Sequence, residues 1–194
     1  MKEKGILFNS DMIQAIREDR KRVTRRVIVP QPPGKSIAKR SPMPDVWAFY
    51  AGGKAYMHAA CIMMGDLLWV REKLVRVHHE ADSPYWYAAY ASDGLLVWVD
   101  GEPLRWRWQR DWLSPIHMPK EVARLWLVVE SVRPERVRDI TEDDAFAEGV
   151  GGGDWLGDPV GEFAKLWDRI NAKRGYPWDA NPWVWRIQFE QRHR

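Results

Sequence analysis

Apolar residues recur along the chain with two periods, and each change of period marks a predicted element. A short apolar run, Gly5-Ile6-Leu7-Phe8-Asn9, predicts a first strand. Ser10 or Asp11 then caps a helix, with Gln14 placed to close a capping box on Asp11 and with Met12, Ile13 and Ile16 on one face. A basic block from Arg20 to Arg26 ends this helix and enters Val27-Ile28-Val29. Between Leu67 and Leu74 the period is two: Leu68, Val70, Glu72 and Leu74 share one face of a strand, so Glu72 points with the apolar set. Tyr85 to Ala91 and Leu95 to Val99 read as a hairpin around Ser92-Asp93-Gly94, and Leu104 to Trp108 alternates apolar residues with Arg105 and Arg107. Ala123 to Val132 reads as a longer strand closed by Pro134. The last strand alternates most cleanly, with Trp183, Trp185, Ile187 and Phe189 facing one way and Val184, Arg186 and Gln188 the other.

Helical spacing returns in two places. Thr141-Glu142-Asp143-Asp144 sets a hydroxyl cap before an acidic first turn, and Gly149 is placed to end that helix. Asp158-Pro159 caps another, in which Phe163, Leu166, Trp167 and Ile170 form the core-facing stripe. From Pro30 to about Met57, prolines and glycines break any regular pattern, which predicts a surface excursion. Five or six short strands with three helices give an α+β class, a small antiparallel β-barrel with helices at its mouth. At 194 residues and 45% hydrophobic content, one domain spanning residues 1–194 is expected to bury its own core.

Composition narrows the chemistry. Cys61 is the single cysteine, so an intramolecular disulfide and a zinc–thiolate cluster are both excluded, and a reducing cytoplasm is the expected location. No apolar stretch near Met1 is long enough for a membrane span or leader, so no membrane partner is expected. A net charge of +3 suits an anionic partner without demanding one. Thirteen tryptophans suit strands whose inward faces carry large rings. Histidines 58, 78, 79, 117 and 193 lack the spacing of a zinc site, so neither metal nor cofactor is expected. Gly149 to Gly153 lacks the Lys-Ser/Thr ending of a phosphate loop and reads as a flexible connection, and no Gly-x-Ser-x-Gly elbow appears.

Two charged runs remain. Most acidic residues between Asp139 and Glu148 suit a solvated helix start, but Glu148 lies past the first turn, on the face of Thr141 and the small, apolar Ala145, and is expected to face the barrel. In the basic block, Lys21 lies three residues before Thr24, with a side chain long enough to reach a hydroxyl.

The block Arg20-Lys21-Arg22-Val23-Thr24-Arg25-Arg26 resembles the hallmark of the ASCH domain family, Gly-x-Lys-x-x-x-x-Arg, whose PUA-like barrel is related to RNA-binding modules. Lys21 and Arg26 match its lysine and arginine, and Asp19 stands where the family has glycine. Gly65-Asp66-Leu67-Leu68 resembles the turn that opens the next barrel strand in that family. Thr141 to Glu148 resembles the Thr-Glu-x-x-Ala-x-x-Glu stretch of the small bacterial N4-acetylcytidine amidohydrolases, and Trp183-Val184-Trp185 looks like larger, phage-type members. Relative to those small enzymes the chain carries inserts at about 30–60 and 76–120.

The resemblance implies catalytic roles for Lys21, Thr24 and Glu148, with Arg26 and Glu72 binding substrate. Thr24 would attack the acyl carbonyl on N4 of cytosine, activated by a Lys21 whose pKa is lowered by Arg20, Arg22, Arg25 and Arg26. Glu148 would protonate the departing amine. The partner implied is a small nucleoside. Two other readings use the same cleft: an RNA-binding module, with Arg105, Arg107 and Arg110 interleaved with Trp106, Trp108 and Trp112, and a ribonuclease. Acyl preference, oligomeric state and the role of the inserts have no signature in the residues.

Overall fold

A computed structural model of the chain describes residues 1–43, 46–78, 84–151 and 157–192; His79, His193 and the glycines 152 and 153 fall outside these. The elements are β1 (Glu3–Leu7), α1 (Ser10–Arg17), β2 (Val23–Val27), β3 (Ile37–Arg40), β4 (Val46–Ala51), β5 (Lys54–Ala59), β6 (Leu67–Arg71), β7 (Leu74–His78), β8 (Trp86–Tyr90), β9 (Trp98–Val99), β10 (Glu102–Pro103), β11 (Trp112–Leu113), β12 (Trp126–Arg136), α2 (Glu142–Ala147), α3 (Pro159–Asn171) and β13 (Trp183–Arg192). The molecule is mostly β-sheet with few helices. Its main sheet has the order β1-β6-β12-β13-β2, flanked by β3-β4-β5, β11-β7-β8 and the short pair β10-β9.

The expected barrel is corrected in two respects. β1 pairs with β6 in parallel, which the long crossover through β2 to β5 permits, so the sheet is mixed rather than antiparallel. Among the described residues no ladder joins β1 to β2, so the main sheet is open along that seam. A side chain crosses the seam instead, where Arg26 Nη2 donates to the Leu7 carbonyl at 2.7 Å.

β13 lies inside the main sheet, between β12 and the edge strand β2. Trp183, Trp185, Ile187 and Phe189 are buried on one face, as the alternation predicts, and pack with Ile6, Phe8, Ile13 and Leu68. The opposite face is covered in part, because Val184 is buried under Phe163 and Trp167 of α3 and Ala145 of α2. Pro134, read as a stop, lies inside β12 opposite Trp185. β6 covers only Trp126 to Val128 on the other side of β12, so the proline, which has no N–H, sits where β12 is an edge.

Other boundaries differ for physical reasons of the same kind. The excursion after Pro30 is a three-stranded meander, because Gly52 and Gly53, at φ of +55° and +74°, form the two-residue turn joining β4 to β5 rather than breaking a pattern. Phe49 of β4 is fully buried and packs edge-on against Trp183 at 5.0 Å, which docks the meander on the core. The strand predicted over Leu67 to Leu74 divides at Glu72 and Lys73 into β6 and β7, which belong to different sheets. Leu104 to Trp108 forms no continuous strand and is tied to β8 by single bridges and bonds such as Ala88 N to the Leu104 carbonyl at 2.8 Å. The cap of α1 is Asn9, whose side chain accepts from Met12 N, and not Ser10 or Asp11.

Replacing Phe189 by alanine removes a fully buried ring from the centre of this core, so unfolding by guanidinium chloride is expected to show a loss of about 3–5 kcal/mol. Met64→Ala, at an exposed position, is expected to change stability by less than about 0.5 kcal/mol.

Candidate active site

The ends of α1 and α2 meet at the start of β2. α1 is terminated by Asp19 in the left-handed conformation at φ +58°, the geometry that glycine adopts most freely and that aspartate tolerates. The chain turns so tightly there that Arg20 N and Lys21 N both donate to the Ala15 carbonyl, at 2.9 and 3.0 Å. α2 ends at Glu148, followed by Gly149 at φ +86°. A Cβ on Gly149 would lie 2.8 Å from Ala15 Cβ and 3.2 Å from Lys21 Cβ, so only glycine lets the two helix ends approach this closely. Lys21 and Glu148 form an antiparallel bridge, and Arg22 N donates to the Ala147 carbonyl at 2.8 Å.

Lys21, Thr24, Arg25 and Glu148 are all buried. The Lys21 ammonium donates to Glu148 Oε2 at 2.7 Å, to the Glu148 carbonyl at 2.8 Å and to the Val23 carbonyl at 2.8 Å, which engages its three protons. Burial lowers the Lys21 pKa, Glu148 opposes that, and Arg26 and Arg25 add a smaller downward push. The expected direction therefore holds, but desolvation dominates. Arg20 and Arg22 point elsewhere, to Glu18 and Asp19. The second oxygen of Glu148, Oε1, accepts from Arg25 Nη1 at 3.1 Å. Arg25 also binds Glu135 at 2.7 Å and Asp144 at 2.5 Å, and Arg186 grips Asp144 with two bonds of 2.7 and 3.0 Å. Chiefly through the Arg186 bonds, Asp144 is held down at about 2.

Beside this network lies a cavity of about 270 Å³. β2 is an edge strand, and its residues reach the cavity from both faces: Thr24 and Arg26 stand on the side of Ile187 and Trp185, Arg25 on that of Arg186. Phe8 and Met12 form one wall; Phe163, Leu166, Trp167 and Ile170 of α3 form another. The predicted α3 stripe is thus divided: Phe163 and Trp167 are buried, whereas Leu166 is half-buried and Ile170 is 41% exposed, because an unfilled space lies before them. Asn9, Asn171 and Arg174 add amide and guanidinium donors.

Thr24, Glu148 and Arg26 therefore line one cavity, and Lys21 lies directly behind the Glu148 carboxylate. Glu72 is in a different place. It is fully buried and held by Arg124 at 2.7 and 2.8 Å and by Ser92 at 3.0 Å, with Arg124 stacked 3.7 Å from the centre of the Tyr90 ring. Sequence reasoning missed Arg25, Asp144 and Arg186. The alternation along β2 and β13 carries a signal for two of them, since it sets both arginines on the helix side of the sheet. Among the described residues no three His, Cys, Asp or Glu side chains are grouped to hold a metal, and no helix is long and apolar enough to cross a membrane.

Asp144 has a folded pKa of about 2 against an ordinary 3.8, so the unfolded chain binds the proton more readily between these values. Its stabilising contribution is complete above the upper value and disappears as pH falls through the lower one. Thermal melts in that window are expected to show a steep loss of stability, and Asp144→Asn is expected to flatten it.

No family model and no curated protein matches the chain. Among solved structures it is similar to the crystal structure of an ASCH domain from Lactobacillus crispatus JV V101, at 12% identity and a TM-score of 0.43, over 98% of this chain and 79% of that one.

Proposed function

We propose that the chain is an amidohydrolase that removes the acyl group from N4-acylated cytidine, with the free nucleoside as its substrate and the cytoplasm as its place of action. One observation carries the reading: Thr24 and Glu148 line one cavity, with Lys21 and Arg25 bound to the Glu148 carboxylate. A docking groove for an anion has no use for a buried carboxylate at its wall. The motif resemblance to ASCH amidohydrolases falls on the same three residues, Lys21, Thr24 and Glu148.

The geometry favours a changed division of labour among them. With its three protons engaged, Lys21 serves as a buried ammonium that orients Glu148, and Glu148 is the group facing the cavity that exchanges protons. The Thr24 hydroxyl gives its proton to Glu148 as its oxygen attacks the acyl carbon, and the carbonyl oxygen takes up negative charge beside Arg25 or Arg26. The C–N4 bond then breaks, Glu148 returns the proton to N4, and cytidine leaves. Water then attacks the threonine ester as it gives a proton to Glu148, the C–O bond to Thr24 breaks, and Glu148 passes that proton to the Thr24 oxygen, which restores the hydroxyl as the acid leaves. Phe8, Phe163 and Trp167 supply ring faces for the pyrimidine.

The test is release of cytidine from N4-acetylcytidine. Thr24→Ala is expected to abolish it and Thr24→Ser to retain part; activity persisting in Thr24→Ala would assign the attack to water. Glu148→Gln is expected to lower kcat by about 10²–10⁴-fold with little change in KM. Lys21→Met leaves Glu148 with one cation and is expected to cost about 3–5 kcal/mol of stability in chemical denaturation, the usual loss when one partner of a buried pair is removed.

One observation favours an RNA-docking reading instead. Trp86 and Trp112 are exposed on the β11-β7-β8 sheet, with Arg76 4.5 Å from the Trp86 ring centre and Arg110 5.8 Å from that of Trp112. Salt separates the two. Turnover of a nucleoside is expected to change little with ionic strength, whereas RNA held by phosphate contacts weakens steeply, and salt-sensitive RNA binding without hydrolysis would favour docking.

A further inference from the structure

A second cavity, of about 390 Å³, shares Leu7, Arg26 and Val27 with the first. It occupies the seam where the main sheet is open. Ile6 of β1, Ile28 just after β2, Trp185 and Ile187 of β13, and Ala60 and Ile62 after β5 form its walls. Its surface is hydrocarbon and indole over most of its extent. His58 turns an edge-on ring against Phe49 at 5.1 Å, and burial pushes its imidazole down, toward the uncharged form. Arg26 already spends one N–H on the Leu7 carbonyl. The cavity's side chains are mostly apolar, and its polar groups are Arg26, His58 and the backbone of the two sheet edges. Ile6, Ile28, Trp185 and Ile187 form its buried floor, and the exposed Leu7, Val29 and Ala59 its rim.

The two spaces meet at Arg26, and Thr24 stands on the same face of β2, two residues before it. We propose that this second cavity is the acyl subsite: with the pyrimidine in the first cavity and the amide carbonyl at Thr24 and Arg26, the hydrocarbon of the acyl group extends into the seam between β1 and β2. The favoured substrates are then N4-acylcytidines with chains of several carbons or a ring, for which a methyl group leaves most of the cavity empty. This rests on the amidohydrolase reading, and chain length does not alter the balance of the hydrolysis, whose products are cytidine and the free acid.

The experiment compares kcat/KM for N4-acetyl-, N4-butanoyl- and N4-hexanoylcytidine in the wild type and in Ala59→Trp, at an exposed residue on the wall of the second cavity. Each methylene moved from water into the cavity is expected to raise kcat/KM about threefold to fourfold, and Ala59→Trp to reduce the hexanoyl-to-acetyl ratio by at least about tenfold. Ala60→Phe repeats the measurement from the inner wall if Ala59→Trp fails to fold by circular dichroism. A flat or declining series with acetyl still hydrolysed overturns the subsite and leaves the hydrolase. If no member is hydrolysed, the hydrolase reading falls, and affinities for the same compounds, read from quenching of tryptophan fluorescence, decide the cavity by itself. Affinity that climbs with chain length and is lost in Ala59→Trp retains it as a hydrocarbon-binding site, and affinity indifferent to chain length overturns it.

Discussion

The burial of the Glu148 carboxylate is the constraint on which the rest of the site depends. Removing such a group from water costs several kcal/mol unless opposite charge and hydrogen bonds replace the solvent, and here each oxygen has its own cation. Lys21 comes from the turn after α1 and Arg25 from β2, so the carboxylate is satisfied only when the end of α2 lies against both. Arg25 extends the network to Glu135 on β12 and to Asp144, and Asp144 to Arg186 on β13. A single buried charge thereby fixes α2 over three strands of the main sheet, where shape-filling side chains alone would leave its position less determined.

The same strands explain why there is space beside the network. β1 and β2 are both edges, and the seam between them is crossed by a guanidinium instead of a ladder. An open seam exposes side chains from both faces of an edge strand, so consecutive residues of β2 contribute to one wall. The meander β3-β4-β5 and the helix α3 cover the seam without filling it. The cavities follow from this topology: two sheet edges held apart and roofed from either side.

The periodic elements were legible in the sequence. The inward face of β13, the caps at Thr141 and Asp158 and the turn at Gly149 need only local spacing, and each has the predicted form. The failures arose where a partner distant in sequence decides the outcome. Pro134 fits inside a strand because β6 is too short to reach it, and Glu72, at the break between β6 and β7, is paired with Arg124 from 52 residues away. Ile170 has the spacing of a core residue and becomes a cavity wall, a difference that depends on what is missing opposite it. Lys21 and Glu148 stand out by their places in the two charged runs, and the motif resemblance joins them with Thr24, since spacing alone does not indicate that they meet. Arg25 stood in plain view in the basic block, but its value as the second cation could not be weighed without the fold.

Lys21 and Glu148 are 127 positions apart, and the bridge between them closes a loop that contains most of the chain. A contact of this range is costly to form ahead of the rest of the fold, because the entropy of closing the loop is lost before the contact gives anything in return. The site therefore has no local precursor. A chain in which the central sheet is still assembling has a solvated lysine at one end and a solvated carboxylate at the other, and neither resembles the group it becomes. The Lys21–Glu148 pair and the cavity beside it are thus products of the completed tertiary fold and of no single segment.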